Sequence, residues 1–227
     1  CSSPTSKGCD GNKSGQALWN ALHEEMRKCA VLPDAVELGL RGPHQRINAQ
    51  TAVLAWIMLC HLHHWKTDSH TIALGLSRAF IAGRLQFVPA DRRHPAMWLD
   101  GAHNPHGMTA LLKAVEQMKE EERPGAVVFS CLADKQPEKL TRLVLQLARD
   151  MPLFVPSIRD NPRAAAGADL TAMLGSHARA ENSLEEAVHD AAHAARGKPV
   201  LVCGSLYLLS ELFEMWPELL EPARQNF

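Results

Sequence analysis

The sequence has no strong excess of charge of either sign, and this absence argues against several classes of partner. Its 227 residues carry 24 Lys and Arg against 25 Asp and Glu, which gives a formal net charge of −1 with the histidines neutral. Surfaces that bind nucleic acid or acidic membranes require a basic excess or long basic runs. The sequence therefore predicts neither a nucleic-acid-binding protein nor a protein that binds membranes.

Long apolar runs and paired cysteines are also missing. The longest apolar run, residues 52–60, is too short to span a bilayer and fits a buried helix. None of the six cysteines forms a Cys-x-x-Cys pair, and Cys131 and Cys203 each end a strand-like run, where a free cysteine behaves as a small hydrophobe. We therefore expect a reducing cytoplasm and no disulfide framework. The sequence begins with Cys1 rather than methionine, which leaves open a fragment, a processed form or a mature lipoprotein.

Two common ligand-binding motifs do not occur. The phosphate loop Gly-x-x-x-x-Gly-Lys-Ser/Thr is absent, and the Lys-Ser and Lys-Thr pairs at 13–14 and 66–67 lie in the wrong setting. Histidines cluster at positions 61, 63, 64 and 70, but no carboxylate or second ligand group follows at a recognised metal-site spacing. We interpret the cluster as a solvated helix end and predict no metal ligands in this chain.

Strand-like and helical segments alternate from residue 83 onward. Strands are predicted at 85–88, 96–99, 126–131, 153–155 and 200–203, and helices at 105–122, 137–149, about 168–174, 183–197 and 205–217. Ser183 followed by Glu186 is a capping box that starts one of these helices. Apart from its short helix, the segment 156–180 is expected to be irregular. This alternation predicts an α/β fold with a mostly parallel sheet covered on both faces.

The first 82 residues have a different pattern. Residues 1–15 are small and polar and are predicted to be mobile, and residues 16–30 are predicted to form a short amphipathic helix. Asn48 is expected to open and cap an apolar helix that runs to about Cys60. A further helix is predicted from Asp68 to Ile81. We therefore predict two domains: a mainly helical one at 1–82, which looks like the end of something larger, and an α/β domain at 83–227.

The segment from Trp98 to Pro105 has the pattern of a strand, a loop and a helix. Asn104 is a good N-cap, and Pro105 is suited to the first helical position. Asp100 and His103 would lie beyond the carboxyl end of a strand, where ligands bind in α/β sheets. The same residue types are also ordinary turn formers, so the pattern alone leaves a structural turn and a functional site equally open.

Taken together, these motifs resemble the folylpolyglutamate synthase/dihydrofolate synthase family, which belongs to the Mur-ligase-like amide-bond ligases. The resemblance covers about residues 38–216. Its motifs are Leu-Asp-Gly-Ala-His-Asn-Pro-His at 99–106, His-Gln-Arg-Ile-Asn-Ala at 44–49, Gly-Arg-Leu-Gln at 83–86, Ala-Asp-Lys at 133–135 and Val-Cys-Gly-Ser-Leu-Tyr-Leu at 202–208. It implies a C-terminal Rossmann-like domain preceded by the mainly helical end of a central ATP-binding domain.

The resemblance also implies a reaction and roles for five residues. ATP phosphorylates a folate or dihydropteroate carboxylate, and the amino group of L-glutamate attacks the acyl phosphate. Nucleotide contacts are implied for Asn48, Arg84 and Asp100, and a catalytic role at the acyl phosphate and the incoming glutamate for His103, with Asp100 beside it. Ser205 and its glycine turn are expected at a glutamate carboxylate.

One departure from the family pattern limits these expectations. The family's phosphate loop and its magnesium ligands lie in the N-terminal and central domains, and this sequence has no such loop. We therefore expect the chain to be the C-terminal half of a ligase, with the Mg²⁺ ligands outside it, and to be inactive alone. The alternatives are a muramyl- or cyanophycin-type ligase and a non-catalytic binding domain that lacks the ATP site.

Overall fold

A computed structural model describes residues 36–222, which fall into two compact units. Within that range the first unit comprises residues 36–38 and 45–78, and the second comprises 39–44 and 79–222. The mobile terminus predicted at 1–15 and the helix predicted at 16–30 lie outside the described residues. No helix in the described part of the chain is long and apolar enough to cross a membrane.

Two helices make up most of the described part of the first unit. Helix α1 spans His44–His63 and α2 spans Ser69–Arg78. Asp68 caps α2, because its Oδ1 accepts the Thr71 backbone N–H at 2.8 Å, and the helix ends at Arg78 rather than at the predicted Ile81. The prediction that Asn48 opens α1 is wrong, since the helix begins four residues earlier. The Asn48 side-chain amide instead donates a hydrogen bond to Gln45 Oε1 at 3.0 Å, within the same helix.

The second unit is built on a six-stranded sheet with the spatial order β1-β2-β6-β3-β4-β5. The edge strand β1 runs antiparallel to β2, and the other neighbours are parallel. The predicted α/β class and mostly parallel sheet are thus confirmed. The strands are β1 Gln86–Val88, β2 Met97–Asp100, β3 Ala126–Phe129, β4 Leu153–Pro156, β5 Ala178–Glu181 and β6 Val200–Cys203.

Helices cover both faces of this sheet. They are α3 Pro105–Glu116, α4 Pro137–Ala148, α5 Gly167–Leu174, α6 Leu184–Ala194 and α7 Leu206–Met215. Short 3₁₀ turns follow at Gly175–His177 and Pro217–Leu220. Successive strand residues point to opposite faces, so Trp98, Val127 and Leu201 pack with α3, α4 and α5. Met97, Val128 and Val202 pack with α6 and α7 on the other face.

The end of α3 and the strand β5 differ from the sequence prediction. Helix α3 ends at Glu116 rather than near residue 122, because the Arg123 guanidinium donates to the carbonyls of Glu116 and Met118 and satisfies the end of the helix. Strand β5 falls in a segment expected to be irregular. Its sequence Ala-Arg-Ala-Glu is short, polar and mostly exposed, and only its pairing with β4 makes it a strand.

Candidate functional site

Three segments of the second unit meet at the carboxyl ends of β2 and β6: residues 83–85, 101–104 and 204–205. The register pairs Asp100 with Cys203, so both strands end at the same level, and β3 ends beside them at Phe129. The loop 101–104 follows β2, and the Gly204-Ser205 turn follows β6. Ligands of α/β proteins bind in the crevice beyond strand ends of this kind. The fold therefore places the predicted Asp100 and His103 loop at a suitable edge of the sheet.

Asp100 joins two of these segments through its carboxylate. Its Oδ1 accepts the Ala102 backbone N–H at 2.8 Å, and its Oδ2 accepts the Leu85 backbone N–H at 2.9 Å. The residue is only 8% exposed. Burial raises the pKa of Asp100, although the two backbone donors and the Arg84 guanidinium oppose this effect. Asp100 thus holds the segment 83–85 against the loop that carries His103.

Backbone geometry prepares the same junction. Gly83 has a φ of +71° and its carbonyl accepts the Gly101 N–H at 2.8 Å, while Leu85 has a φ of +47°. A side chain at Gly101 would collide with Leu206 and would come within 2.9 Å of Arg84 Nη1. Gly101 therefore permits the close approach of the guanidinium and of the first turn of α7. Sequence reasoning missed Leu85 and Gly101, although the Gly-Arg-Leu-Gln motif marks the former.

Arg84 is half-buried against this junction. Among the described residues, no carboxylate forms an ion pair with its guanidinium within 4 Å, although Asp100 is close enough to interact electrostatically. A guanidinium carries five donors in a planar fork that suits phosphate and carboxylate groups. The arrangement can therefore bind an anionic ligand.

His103 is held by its own loop. Its Nδ1 lies 2.8 Å from the Gly101 carbonyl oxygen, and because a carbonyl only accepts, Nδ1 carries the proton. In the neutral ring Nε2 then has a lone pair. His103 is half-buried, and Asn104 caps α3 beside it by accepting the Gly107 N–H at 2.9 Å, as the sequence predicts. The imidazole can therefore accept a proton or a hydrogen bond from a ligand through Nε2.

Ser205 differs from its expected role at a ligand. It is 1% exposed, and its hydroxyl caps α7 by accepting the Tyr207 N–H at 3.1 Å. Gly204 before it has a φ of +107° and packs against the Ser130 carbonyl oxygen and the Phe129 ring. The turn is thus built for close packing. Fully buried Ser130 directly follows β3, and its hydroxyl has no hydrogen-bond partner within the described part of the chain.

The structure brings Arg84, Asp100, His103 and Ser205 together in the second unit, whereas Asn48 belongs to the first. In residues 36–222, no three His, Cys, Asp or Glu side chains are placed to hold a metal ion together. The described residues thus fit an anionic group at Arg84 but offer no three-ligand set for magnesium. A separate cavity of about 970 Å³ lies near the amino ends of the strands, among Gly125, Arg179 and Lys198.

Comparison with known proteins decides the family. Residues 83–206 match the model of the Mur ligase glutamate ligase domain, which is more than half of the chain. This chain belongs to the Mur ligase family. The match contains Arg84, Asp100, His103 and Ser205, so the four assembled residues lie within the family domain.

Individual relatives agree with this assignment. The chain is 29% identical to the dihydrofolate synthase/folylpolyglutamate synthase of Bacillus subtilis over 181 residues. This alignment covers 78% of this chain and 40% of that protein. The fold matches Mycobacterium tuberculosis folylpolyglutamate synthase complexed with ADP and AMPPCP at a TM-score of 0.65, with 22% identity over 79% of this chain and 41% of that one.

A second solved structure is the bifunctional folylpolyglutamate synthase/dihydrofolate synthase of Yersinia pestis with AMPPNP and a Mn ion. It matches at a TM-score of 0.58 and 27% identity, over 73% of this chain and 38% of that one. The chain thus spans about two fifths of the length of these relatives. The resemblance of the sequence motifs to the Mur-ligase-like amide-bond ligases is confirmed.

Asp100 and Asp91 are expected to change the stability of the second unit with pH in opposite directions. Because burial raises the pKa of Asp100 above its ordinary 3.8, its stabilising contribution is complete below that pH and is lost as the pH rises through the folded-state pKa. The native chain should therefore exceed the Asp100→Asn variant in free energy of unfolding, and this difference should shrink as the pH rises from 3.5 to 7.

Urea unfolding at a series of pH values measures this advantage, and Asp91→Asn is its control. Asp91 also accepts two backbone N–H groups, those of Arg93 and His94, but it is exposed. The Arg93 N–H is the main cause that lowers the pKa of Asp91, so the native advantage over Asp91→Asn should grow with pH. Parallel trends for the two variants would contradict the burial argument.

Proposed function

We propose that this chain is the glutamate-ligase part of an ATP-dependent enzyme that joins L-glutamate to a folate or dihydropteroate carboxylate. The observation that carries the proposal is the junction at 83–85 and 100–103. There, Arg84 has no ion-pair partner among residues 36–222, and His103, whose ring tautomer is fixed, lies at the same end of the sheet. Support comes from the relatives, whose names include dihydrofolate synthase and folylpolyglutamate synthase.

The chemistry requires a carboxylate made reactive and an amine held in attack geometry. ATP supplies the phosphoryl group that converts the acceptor carboxylate into an acyl phosphate. In our proposal Arg84 binds an anionic group of the nucleotide through its guanidinium fork. Asp100 fixes the backbone beside it through its two accepted backbone N–H groups, and we propose it as a further contact to the nucleotide. Asn48 is proposed as a further nucleotide contact.

His103 acts on the incoming amine in this proposal. Glutamate arrives as an ammonium ion and must lose a proton before its nitrogen can attack. The Nε2 lone pair of His103 can accept that proton, while the Nδ1–H bond to the Gly101 carbonyl holds the ring in place. The imidazolium then carries positive charge beside the tetrahedral intermediate, from which phosphate leaves.

Ser205 enters the proposal in an altered form. Since its hydroxyl already caps α7, we assign glutamate binding to the Gly204-Ser205 turn as a whole rather than to the hydroxyl alone. The groups that hold magnesium and the triphosphate are proposed to lie in a further part of the enzyme, because these 227 residues contain no phosphate loop.

The test measures ADP release that depends on both glutamate and a folate or dihydropteroate acceptor. We expect it from a complete ligase polypeptide that contains these residues and not from the 227-residue chain alone. Arg84→Lys in the complete enzyme should raise the KM for ATP roughly tenfold, because lysine keeps the charge but loses the fork. Arg92→Lys, an exposed arginine of the same unit, should leave KM unchanged.

Each other result of this test has a definite meaning. ADP release from the 227-residue chain alone would contradict the proposed division of labour. Release that requires a muramyl or cyanophycin-type acceptor instead of a folate would assign the chain to another Mur ligase. Tight folate or nucleotide binding without any turnover by the complete polypeptide would identify a non-catalytic binding domain.

A further inference from the structure

Helix α6 presents two histidines one turn apart on its exposed face. His189 and His193 are separated by four residues, which places their side chains on the same side of a helix. Their rings are 4.6 Å apart between centroids, and the two Nε2 atoms approach to 3.3 Å. The buried face of the helix is formed by other residues, Leu184, Ala187, Val188 and Ala191, so neither histidine is needed for packing.

The separation of the two nitrogens matches the geometry of a metal site. Two imidazole nitrogens bound to one tetrahedral Zn²⁺ at 2.0–2.1 Å lie roughly 3.3–3.4 Å apart. The 3.3 Å between the Nε2 atoms of His189 and His193 lies in this range. We propose that His189 and His193 form a bidentate site for a tetrahedral divalent cation of the zinc class, bound through the Nε2 atom of each ring.

A neighbouring carboxylate orients the first of these ligands. Asp190 Oδ1 lies 3.1 Å from His189 Nδ1, so the ring donates Nδ1–H to the carboxylate and keeps the Nε2 lone pair for a metal. Carboxylate–histidine–metal arrangements of this kind are the usual outer shell of zinc sites. Arg179 holds Asp190 in turn, with its Nη2 2.9 Å from Asp190 Oδ2.

The surroundings leave room for the remaining ligands. His189 and His193 line a surface cavity of about 340 Å³, together with Glu185 one turn earlier on the same helix face. Arg93 lines the cavity too, but its charge is paired with Glu218 at 2.7 Å and with Asp91 at 3.2 Å. Water can therefore fill the remaining positions of a tetrahedron, and this site is independent of the junction at Asp100 proposed for the ligase.

Titration of the 227-residue chain with ZnCl₂, followed by calorimetry, tests the site. The paired substitution His189→Gln with His193→Gln should remove one equivalent of bound zinc or weaken it roughly tenfold or more, because glutamine offers no imidazole nitrogen. The control is His61→Gln with His64→Gln, which removes two exposed histidines three residues apart at the end of α1 and just after it, and which should leave that equivalent in place. Both pairs are exposed, so both variants are expected to fold.

A second comparison separates metal binding from a simple hydrogen bond between the rings. Asp190→Asn should weaken zinc binding roughly 10- to 100-fold, whereas Arg179→Gln leaves the His189–Asp190 bond intact and should have a smaller effect. Zinc should also shift the imidazole nitrogen resonances of both histidines. Equal zinc stoichiometry and affinity in the native chain and in the His189/His193 double variant would overturn the proposal.

Discussion

Replacement of Gly204 by alanine is expected to destabilise the α/β unit by roughly 2–5 kcal/mol. Gly204 has a φ of +107°, a conformation that costs an L-residue energy. A Cβ at this position would also collide with the Ser130 carbonyl oxygen and lie 2.6 Å from the Phe129 ring. Because Ser130 contributes backbone rather than a flexible side chain, the neighbour cannot simply rotate away.

The matched control for this prediction is Gly175→Ala. Gly175 also has a positive φ, of +69°, but nothing lies within 4 Å of an added Cβ. Its φ of +69° and ψ of −151° lie in a region that is essentially restricted to glycine, so alanine there should lose the backbone preference alone, about 1–3 kcal/mol. Urea unfolding followed by circular dichroism gives both free energies of unfolding. Equal losses at the two glycines would show that close packing of the β6 turn against β3 contributes nothing.

Replacement of His103 by alanine in a complete ligase is expected to lower kcat roughly 100- to 10,000-fold, since this is the usual range for loss of a proton-transferring side chain. The KM for ATP should change little, because in our proposal the nucleotide contacts come from Arg84 and Asp100. Glutamate- and folate-dependent ADP release measures both constants. A lower kcat with an unchanged KM for ATP would assign His103 to the chemical step, and Arg84 and Asp100 to nucleotide binding.

His106→Ala controls for effects on helix α3. His106 is exposed, lies three residues after His103 and belongs to the first turn of the same helix. We expect it to retain the native kcat. A His103→Ala enzyme with a native kcat and an increased KM for glutamate alone would assign the imidazole to substrate binding rather than to proton transfer.

Much of the second unit could be predicted from local sequence. Pro105 after Asn104 starts α3, Ser183 caps α6 with a bond to the Glu186 N–H at 3.1 Å, and the run at 200–203 forms β6 as expected. Each of these signals acts within a few residues, through cap hydrogen bonds or a continuous apolar run. The strand–loop–helix at Trp98 to Pro105 was predictable for the same reason.

Features that depend on distant partners could not be predicted. Strand β5 has an ordinary polar sequence and becomes a strand through pairing with β4. The end of α3 at Glu116 is set by the Arg123 guanidinium, and the start of α1 lies at His44 rather than at Asn48. Helix ends are the least regular part of a helix, and local patterns are weak there, so these two boundaries could not be predicted from the sequence.

The sequence by itself determined the α/β class, the caps that start the main helices and the family motif that contains Asp100 and His103. Only the tertiary structure showed that the Asp100 carboxylate bonds to the Leu85 N–H, 15 residues away, and that Ser205 is a buried cap. It also placed His189 and His193 within metal-binding distance of each other. Motifs record residue type and spacing, whereas hydrogen bonds such as that between Asp100 and Leu85 arise from the packing of separate segments.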